Sequence, residues 1–412
     1  MTPLTNPIKP YPWGSRTAIA SLRGRPVPTP QPEAELWMGA HPAGPSLLAD
    51  PAGPVPLTEA IARDAEATLG RSIVDTYGAR LPYLMKLLAA ASPLSLQAHP
   101  EGDVARAGYA AEAGRPLDDP ERNYRDPYHK PELLVAIEPF EALCGFRAPG
   151  RSAELLSSLG VPELDPVVDA LGSGPPSGLR RAVELLMTWP PDRRADLVAA
   201  VARSGHGLAD RLGSLYPDDV GVVVALLLNH VRLRPGEAVF MPPGTLHAYL
   251  CGFGVELMAA SDNVLRGGFT DKHVDVAELL RILRYEVLAE PVVTGRELAP
   301  GVTGWPVPAE EFALRRVVAT AGAPPVVVPG EGPRILACLR GRARLRTAGQ
   351  VRELAAGESV FVTPDEPPVS VGAAEWDGGV GAADWDGGVG GVAAAVVFQA
   401  SVGNRTPGPL AD

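Results

Sequence analysis

The sequence predicts a mainly β protein, built as two related β units with a small helical segment set into the first. Three observations carry that expectation. Glycine and proline each occur 45 times in 412 residues, interleaved with apolar runs rather than gathered in a tail, which favours many turns over long helices. Short apolar runs bounded by Gly, Pro, Asn or Asp recur along the chain, the pattern of strands that end in turns. Two stretches, PGEAVFMPPGTLH at 235–247 and AGESVFVTPDEPP at 356–368, share Gly-Glu, then Val-Phe, then a proline after two more residues. The second has Pro368 where the first has His247, so any ligand chemistry based on that imidazole is confined to the first unit.

The formal charge is −11, which argues against a nucleic-acid backbone as partner while leaving room for a locally basic pocket that takes a small anion. Cys144, Cys251 and Cys338 are far apart and form no Cys-x-x-Cys unit; they read as reduced, buried small hydrophobes. No apolar core of signal-peptide type opens the chain, and the most apolar run, Val220 to Leu228, is about half of what a bilayer span needs. A soluble, cytoplasmic protein without a membrane partner is the expectation.

Taken in order, the first helical signal is Leu57 to Leu69, with Thr58 as its cap. Residues 81–100 are strand-like. Lys86 sits among Leu84, Met85, Leu87 and Leu88, so its ammonium either reaches solvent or faces a polar pocket. Ser95, Gln97 and His99 alternate with Leu94, Leu96 and Ala98, which puts an amide and an imidazole on one strand face. Glu132 abuts the apolar run Leu133 to Ile137, and a carboxylate entering a core asks for a cation. From 150 to 219 helical spacings replace strand patterns, as at Leu179, Ala182, Val183, Leu186 and Met187, with Ser177 as a cap. Strand character is expected to return near Val220.

Residues 235–250 predict a stiff β-hairpin, with His247 just past its tip and Tyr249 alternating beyond it. Glu256, Asp262, Asn263 and Arg266 stand among small and apolar residues, as in a polar site lining, and Asp275 caps a helix from Val276 to Leu283. After 290 a second β-rich region begins. In it Arg340, Arg342, Arg344 and Arg346 alternate along a strand from Ile335 to Thr347, a solvated outer face. The nine-residue unit VGAAEWDGG at 371–379 repeats as VGAADWDGG at 380–388, read as a duplicated surface loop.

Gln97, His99, Glu132 and His247 make a four-ligand set of nitrogen and oxygen donors without thiolate. Such donors suit zinc, and also manganese, iron, cobalt or nickel. Gly236, Pro242, Gly244 and His247 match the spacing of the second signature of the cupin superfamily, with Cys251 where that signature expects asparagine. The longer blocks NPIKPYPWG, AELWMGAHP, LSLQAHP, HKPELL, PPGTLHAY, SDNVLRGG and KHVDV run from residue 6 to about 285. They resemble the type I phosphomannose isomerases and stand in that family's order.

The resemblance implies two cupin-like jelly-roll domains. The first would comprise 1–149 and 220–289, interrupted by a helical insert at 150–219, and the second, without a metal site, 290–412. It implies one catalytic Zn2+ per chain on Gln97, His99, Glu132 and His247. It also implies proton transfer between C1 and C2 of mannose 6-phosphate and fructose 6-phosphate. By the same resemblance Arg266 stabilises charge and Lys130 or Glu256 is the base. Asp262 and Tyr249 line the cleft, and Lys86 and Ser95 are candidates for the phosphate end. The chain departs from the family's usual pattern at Gly102, where a lysine is common, and at Tyr128, where asparagine is common. A small sugar phosphate is the expected partner and a monomer the expected state. The alternatives are another metal-dependent cupin enzyme, an oxygenase or epimerase, and a non-catalytic phosphosugar-binding cupin.

Overall fold

The computed structural model describes residues 1–374 and 394–403. Its strands form three sheets of eleven, nine and four strands. The eleven-stranded sheet holds the site, and the thirteen-residue strand His247–Ala259 is its hub. The far half of this strand lies between Tyr83–Ala90 and Glu132–Ala136. The near half pairs with Phe140–Phe146, and His247 itself stands opposite Gln97. The register slips between Tyr249 and Cys251. Gly252 follows at φ +132°, where an added Cβ would meet the Phe140 ring at 2.6 Å. The strand therefore changes neighbours at a bulge that needs glycine, and the polar ends of the surrounding strands are brought round one space.

The expected jelly rolls are not what the chain forms. The architecture is mixed α/β, and the order of each sheet runs from one edge strand to another without closing. The nine-stranded sheet explains why. Its seventh strand, Thr2–Thr5, comes from the start of the chain and is held between Ser359–Val362 and Leu47–Leu48. Strands from both ends of the sequence thus share one open sheet instead of two rolls folding back on themselves. Twelve α-helices among the described residues complete the mixed class.

The predicted hairpin is also corrected. Glu237–Met241 pairs with Glu132–Ala136 and Val292–Thr294, so Glu132–Ala136 stands between it and the strand that starts at His247. The connection from Pro242 to Leu246 is an arch over that strand. At Val220 the chain forms a short helix, Gly221–Ala225, before the strand Leu228–Leu233. All five helix residues are buried, and an apolar run buried on every side carries no period to tell helix from strand. The predicted helix 57–69 is two helices, Leu57–Arg63 and Ala65–Leu69; Asp64 caps the second by accepting from the Ala67 N–H, and Thr58 lies inside the first. The strand predicted from 335 to 347 breaks at Gly341 into Arg334–Arg340 and Arg342–Arg346, and Glu353 pairs with the arginines at 342 and 344.

The helices between 149 and 225 close over one flank. Ser177–Met187 buries Leu179, Ala182, Val183, Leu186 and Met187, its apolar stripe, each large side chain contributing about 1.5–3 kcal/mol. Pro176 rather than Ser177 precedes its first turn. Asp275 caps Val276–Ile282 through the Glu278 N–H, as its position predicts. Cys144 and Cys338 are buried free thiols and Cys251 is partly exposed. No helix among the described residues is long and apolar enough to cross a membrane. The tandem unit lies, beyond Ala374, outside the described residues.

Candidate metal centre

His99 ends the Leu96–Ala98 strand segment, Glu132 opens Glu132–Ala136, and His247 opens the hub strand. One ligand atom from each of these three buried residues lies within 4.8 Å of the others. Glu132 is central: its Oε1 is 3.3 Å from His99 Nε2 and its Oε2 is 3.2 Å from His247 Nε2.

Hydrogen bonding on the far side of each ring settles what those atoms are. His99 Nδ1 is 2.7 Å from the Asn263 carbonyl and His247 Nδ1 is 2.9 Å from the Thr245 carbonyl. A carbonyl only accepts, so both rings carry their proton on Nδ1 and present a bare lone pair at Nε2. Burial, reinforced by the Lys130 charge, pushes His99 down to about 4, so at neutral pH no second proton is there to share. Nitrogen lone pairs and carboxylate oxygens therefore face each other at 3.2–3.3 Å. His99 Nε2 and Glu132 Oε2 have no hydrogen-bond partner among the described residues. Acceptors crowded in this way, out of water, fit a divalent cation held between them.

Gln97 joins them from the cross-strand position. Its Nε2 is 3.5 Å from His247 Nε2, and its Oε1 accepts from the Ser95 hydroxyl at 3.4 Å. An oxygen ligand from Gln97 requires this amide the other way round, an assignment that the hydrogen-bond network alone governs.

A cleft of ≈ 750 Å³ opens beside the cluster. Gln97, Glu132, Lys130, Glu256, Tyr249, Asp262, Arg266, Lys86 and Ser95 all contribute to its lining. Lys130 Nζ is 3.0 Å from Glu132 Oε1. Burial raises the Glu132 carboxyl, but the Lys130 charge beside it works the other way, and the group is held well below the usual range. Lys86 does not reach solvent. Its Nζ lies 2.9 Å from Glu256 and 3.7 Å from Glu35, all three buried. Burial lowers its pKa, and the Glu256 and Glu35 charges more than restore it, so it remains an ammonium. Burial pushes Glu256 up, and burial with the neighbouring carboxylates keeps Tyr249 a neutral phenol.

The sequence reading missed other lining residues. Glu35 accepts from Trp37 Nε1 at 2.6 Å. Arg125, Arg266 and Lys272 form a basic group at the cleft. Burial and then the charge of Arg125 lower Arg266, and burial, Arg266 and Arg125 lower Lys272. These cations repel one another, as groups awaiting an anion do. Arg266 stands in the SDNVLRGG block and Lys272 opens KHVDV, whereas no motif marks Arg125.

The comparisons bear on what this centre is. The catalytic-domain model of type I phosphomannose isomerase matches residues 1–149. Mannose-6-phosphate isomerase of Escherichia coli K12 is 37% identical over 390 residues, covering 90% of this chain and 97% of that protein. The chain belongs to the type I phosphomannose isomerase family. Mannose-6-phosphate isomerase 1 of Arabidopsis thaliana is 33% identical over 390 residues, covering 87% of this chain and 88% of the other. Among solved phosphomannose isomerase structures, an alanine variant from Salmonella typhimurium superposes with a TM-score of 0.84 at 33% identity, covering 98% of this chain and 100% of that one. A zinc-bound holo form of mannose 6-phosphate isomerase gives 0.82 at 34%, covering 98% and 99%.

Proposed function

We propose that this phosphomannose isomerase interconverts mannose 6-phosphate and fructose 6-phosphate with a zinc ion held by His99, Glu132, His247 and Gln97. The observation that carries the reading is that one ligand atom each from buried His99, Glu132 and His247 lies within 4.8 Å of the others, those of His99 and Glu132 without a hydrogen-bond partner, beside a cleft of sugar-phosphate size. When bound, zinc polarises a substrate oxygen and stabilises the negative charge that develops there.

The chain's own residues supply the rest. Moving a proton from C2 to C1 of the open-chain sugar needs a base within about 3 Å of the hydrogen. Lys130 and Glu256 line the cleft beside the metal ligands, and burial raises the Glu256 carboxyl, which makes it a better base than an exposed carboxylate. Arg266 supports the charge on the oxygens, and Tyr249 donates as a neutral phenol. Asp262 accepts from a sugar hydroxyl. The repulsion within the basic group of Arg125, Arg266 and Lys272 favours Arg125 and Lys272 for the phosphate. Lys86 is already neutralised by Glu256 and Glu35 and has less to offer an anion, while Ser95 lines the same cleft and can donate its hydroxyl.

His247→Ala tests the reading. The variant is expected to lose bound zinc, measured by elemental analysis, together with turnover of mannose 6-phosphate in a coupled assay. Full activity in the zinc-free variant would overturn it.

A further inference from the structure

His41 has no part in the chemistry above, yet it is buried behind Trp37 and Asp262, two residues that line the cleft. It follows the strand Glu35–Gly39 and packs edge-on against Trp37, ring centroids 4.8 Å apart. Its Nδ1 accepts the Ala43 backbone N–H at 3.2 Å. An amide N–H only donates, so this ring keeps its lone pair on Nδ1 and its proton on Nε2, the tautomer opposite to that of His99 and His247. Nε2 lies 3.2 Å from Asp262 Oδ1.

The main chain of Asp262 is pinned separately. Its N–H donates to Asp126 Oδ2 at 2.7 Å, and Asp126 Oδ1 takes the Ser261 hydroxyl at 2.8 Å and the Tyr128 N–H at 3.0 Å. With the backbone fixed, the carboxylate keeps only its own torsions, and at 46% side-chain exposure no packing holds it. We propose that His41 is a positioning residue, whose Nε2–H fixes one oxygen of Asp262 so that Oδ2 is presented to a hydroxyl of the sugar. A held acceptor avoids the ordering cost that a free side chain adds on binding. Burial raises the Asp262 carboxyl, but His41, with the charges of Lys130 and Lys86, more than offsets this and lowers it, so it is an acceptor at neutral pH. The inference rests on the cleft being the sugar-phosphate site.

Steady-state kinetics of the zinc-loaded full chain with mannose 6-phosphate test it. His41→Leu removes the donor and is expected to raise KM about five- to tenfold with kcat within twofold. His41→Gln returns an N–H to the place of Nε2 and is expected to restore KM. Asp262→Ala is expected to raise KM as much, and the double variant no further. If Asp262→Ala leaves KM unchanged, the placement of Asp262 on the sugar fails. If it raises KM while His41→Leu does not, or if the two effects add in full, the role of His41 is overturned. Should the His41 variants not fold, 15N shifts of the wild-type imidazoles decide: an unprotonated His41 Nδ1 with the proton on Nε2 is expected, and a proton on Nδ1 refutes the proposal.

Discussion

Replacing Lys86 by methionine isolates the electrostatics of the cleft floor. The substitution keeps the length of the stem and removes the charge 2.9 Å from Glu256 and 3.7 Å from Glu35. At an effective dielectric of about 20 the lost attraction to Glu256 alone is roughly 6 kcal/mol. The variant has a cheaper course, which is to bind a proton. From an ordinary value of 4.5, protonating one glutamate at pH 7 costs about 3.4 kcal/mol, and at pH 5 about 0.7 kcal/mol. Glu35 keeps the Trp37 N–H as a partner, so Glu256 is the group that takes the proton. Its folded pKa is then raised above the unfolded one, and stability falls as pH climbs from about 4.5 toward that raised value. Urea denaturation of the zinc-loaded proteins should show a loss of about 3 kcal/mol at pH 7 and about 1 kcal/mol at pH 5. Lys86→Met with Glu256→Gln should recover most of the loss at pH 7. An equal loss at both pH values, or none at either, would refute the reasoning.

Arg266→Ala is expected to retain zinc while kcat falls at least about a hundredfold; an unchanged kcat with zinc bound removes Arg266 from the chemistry. Lys272→Ala should raise KM for mannose 6-phosphate, and less steeply in high salt, as measured by initial rates at two ionic strengths. Glu141 lies away from the cleft, where burial would raise its pKa but hydrogen bonds from Arg211 and His230 hold it at about 2. Its depressed pKa adds stability above pH 4.5 that is lost as pH falls toward 2; with Arg211 41% exposed, screening leaves about 1–2 kcal/mol of it. Glu141→Gln should therefore lower the melting temperature at pH 7, and by less than half as much at pH 3.

The centre was legible in the sequence because its ligands sit in short, strongly patterned blocks. Alternation at Ser95, Gln97 and His99 and a carboxylate entering an apolar run need only local reading, and so does the Asp275 cap. What depends on strand order was not legible. The hairpin at 235–250 fails because Glu132–Ala136, a hundred residues earlier in the chain, occupies the place between its two arms. Glu35 and Lys86 meet because Trp37 stands opposite Lys86 across two paired strands, a register that no local pattern sets. Arg125 joins Arg266 and Lys272 at the cleft from a loop distant in sequence, which no local pattern announces. The jelly-roll expectation came with the family resemblance, and the likeness between two strand-turn segments says nothing of where Thr2–Thr5 will pair.

That first strand has a consequence for how the molecule is made. Thr2 stands opposite Phe361, so during synthesis the opening segment waits for nearly the whole polypeptide to emerge before its hydrogen bonds can be closed. At 5–20 residues per second the delay is roughly 20–70 s. Through that interval a row of strand amides and carbonyls is open to any other edge it meets. Cutting the gene near residue 290 would make the delay permanent, leaving the metal ligands in a fragment whose strands Thr2–Thr5 and Glu237–Met241 have each lost a partner.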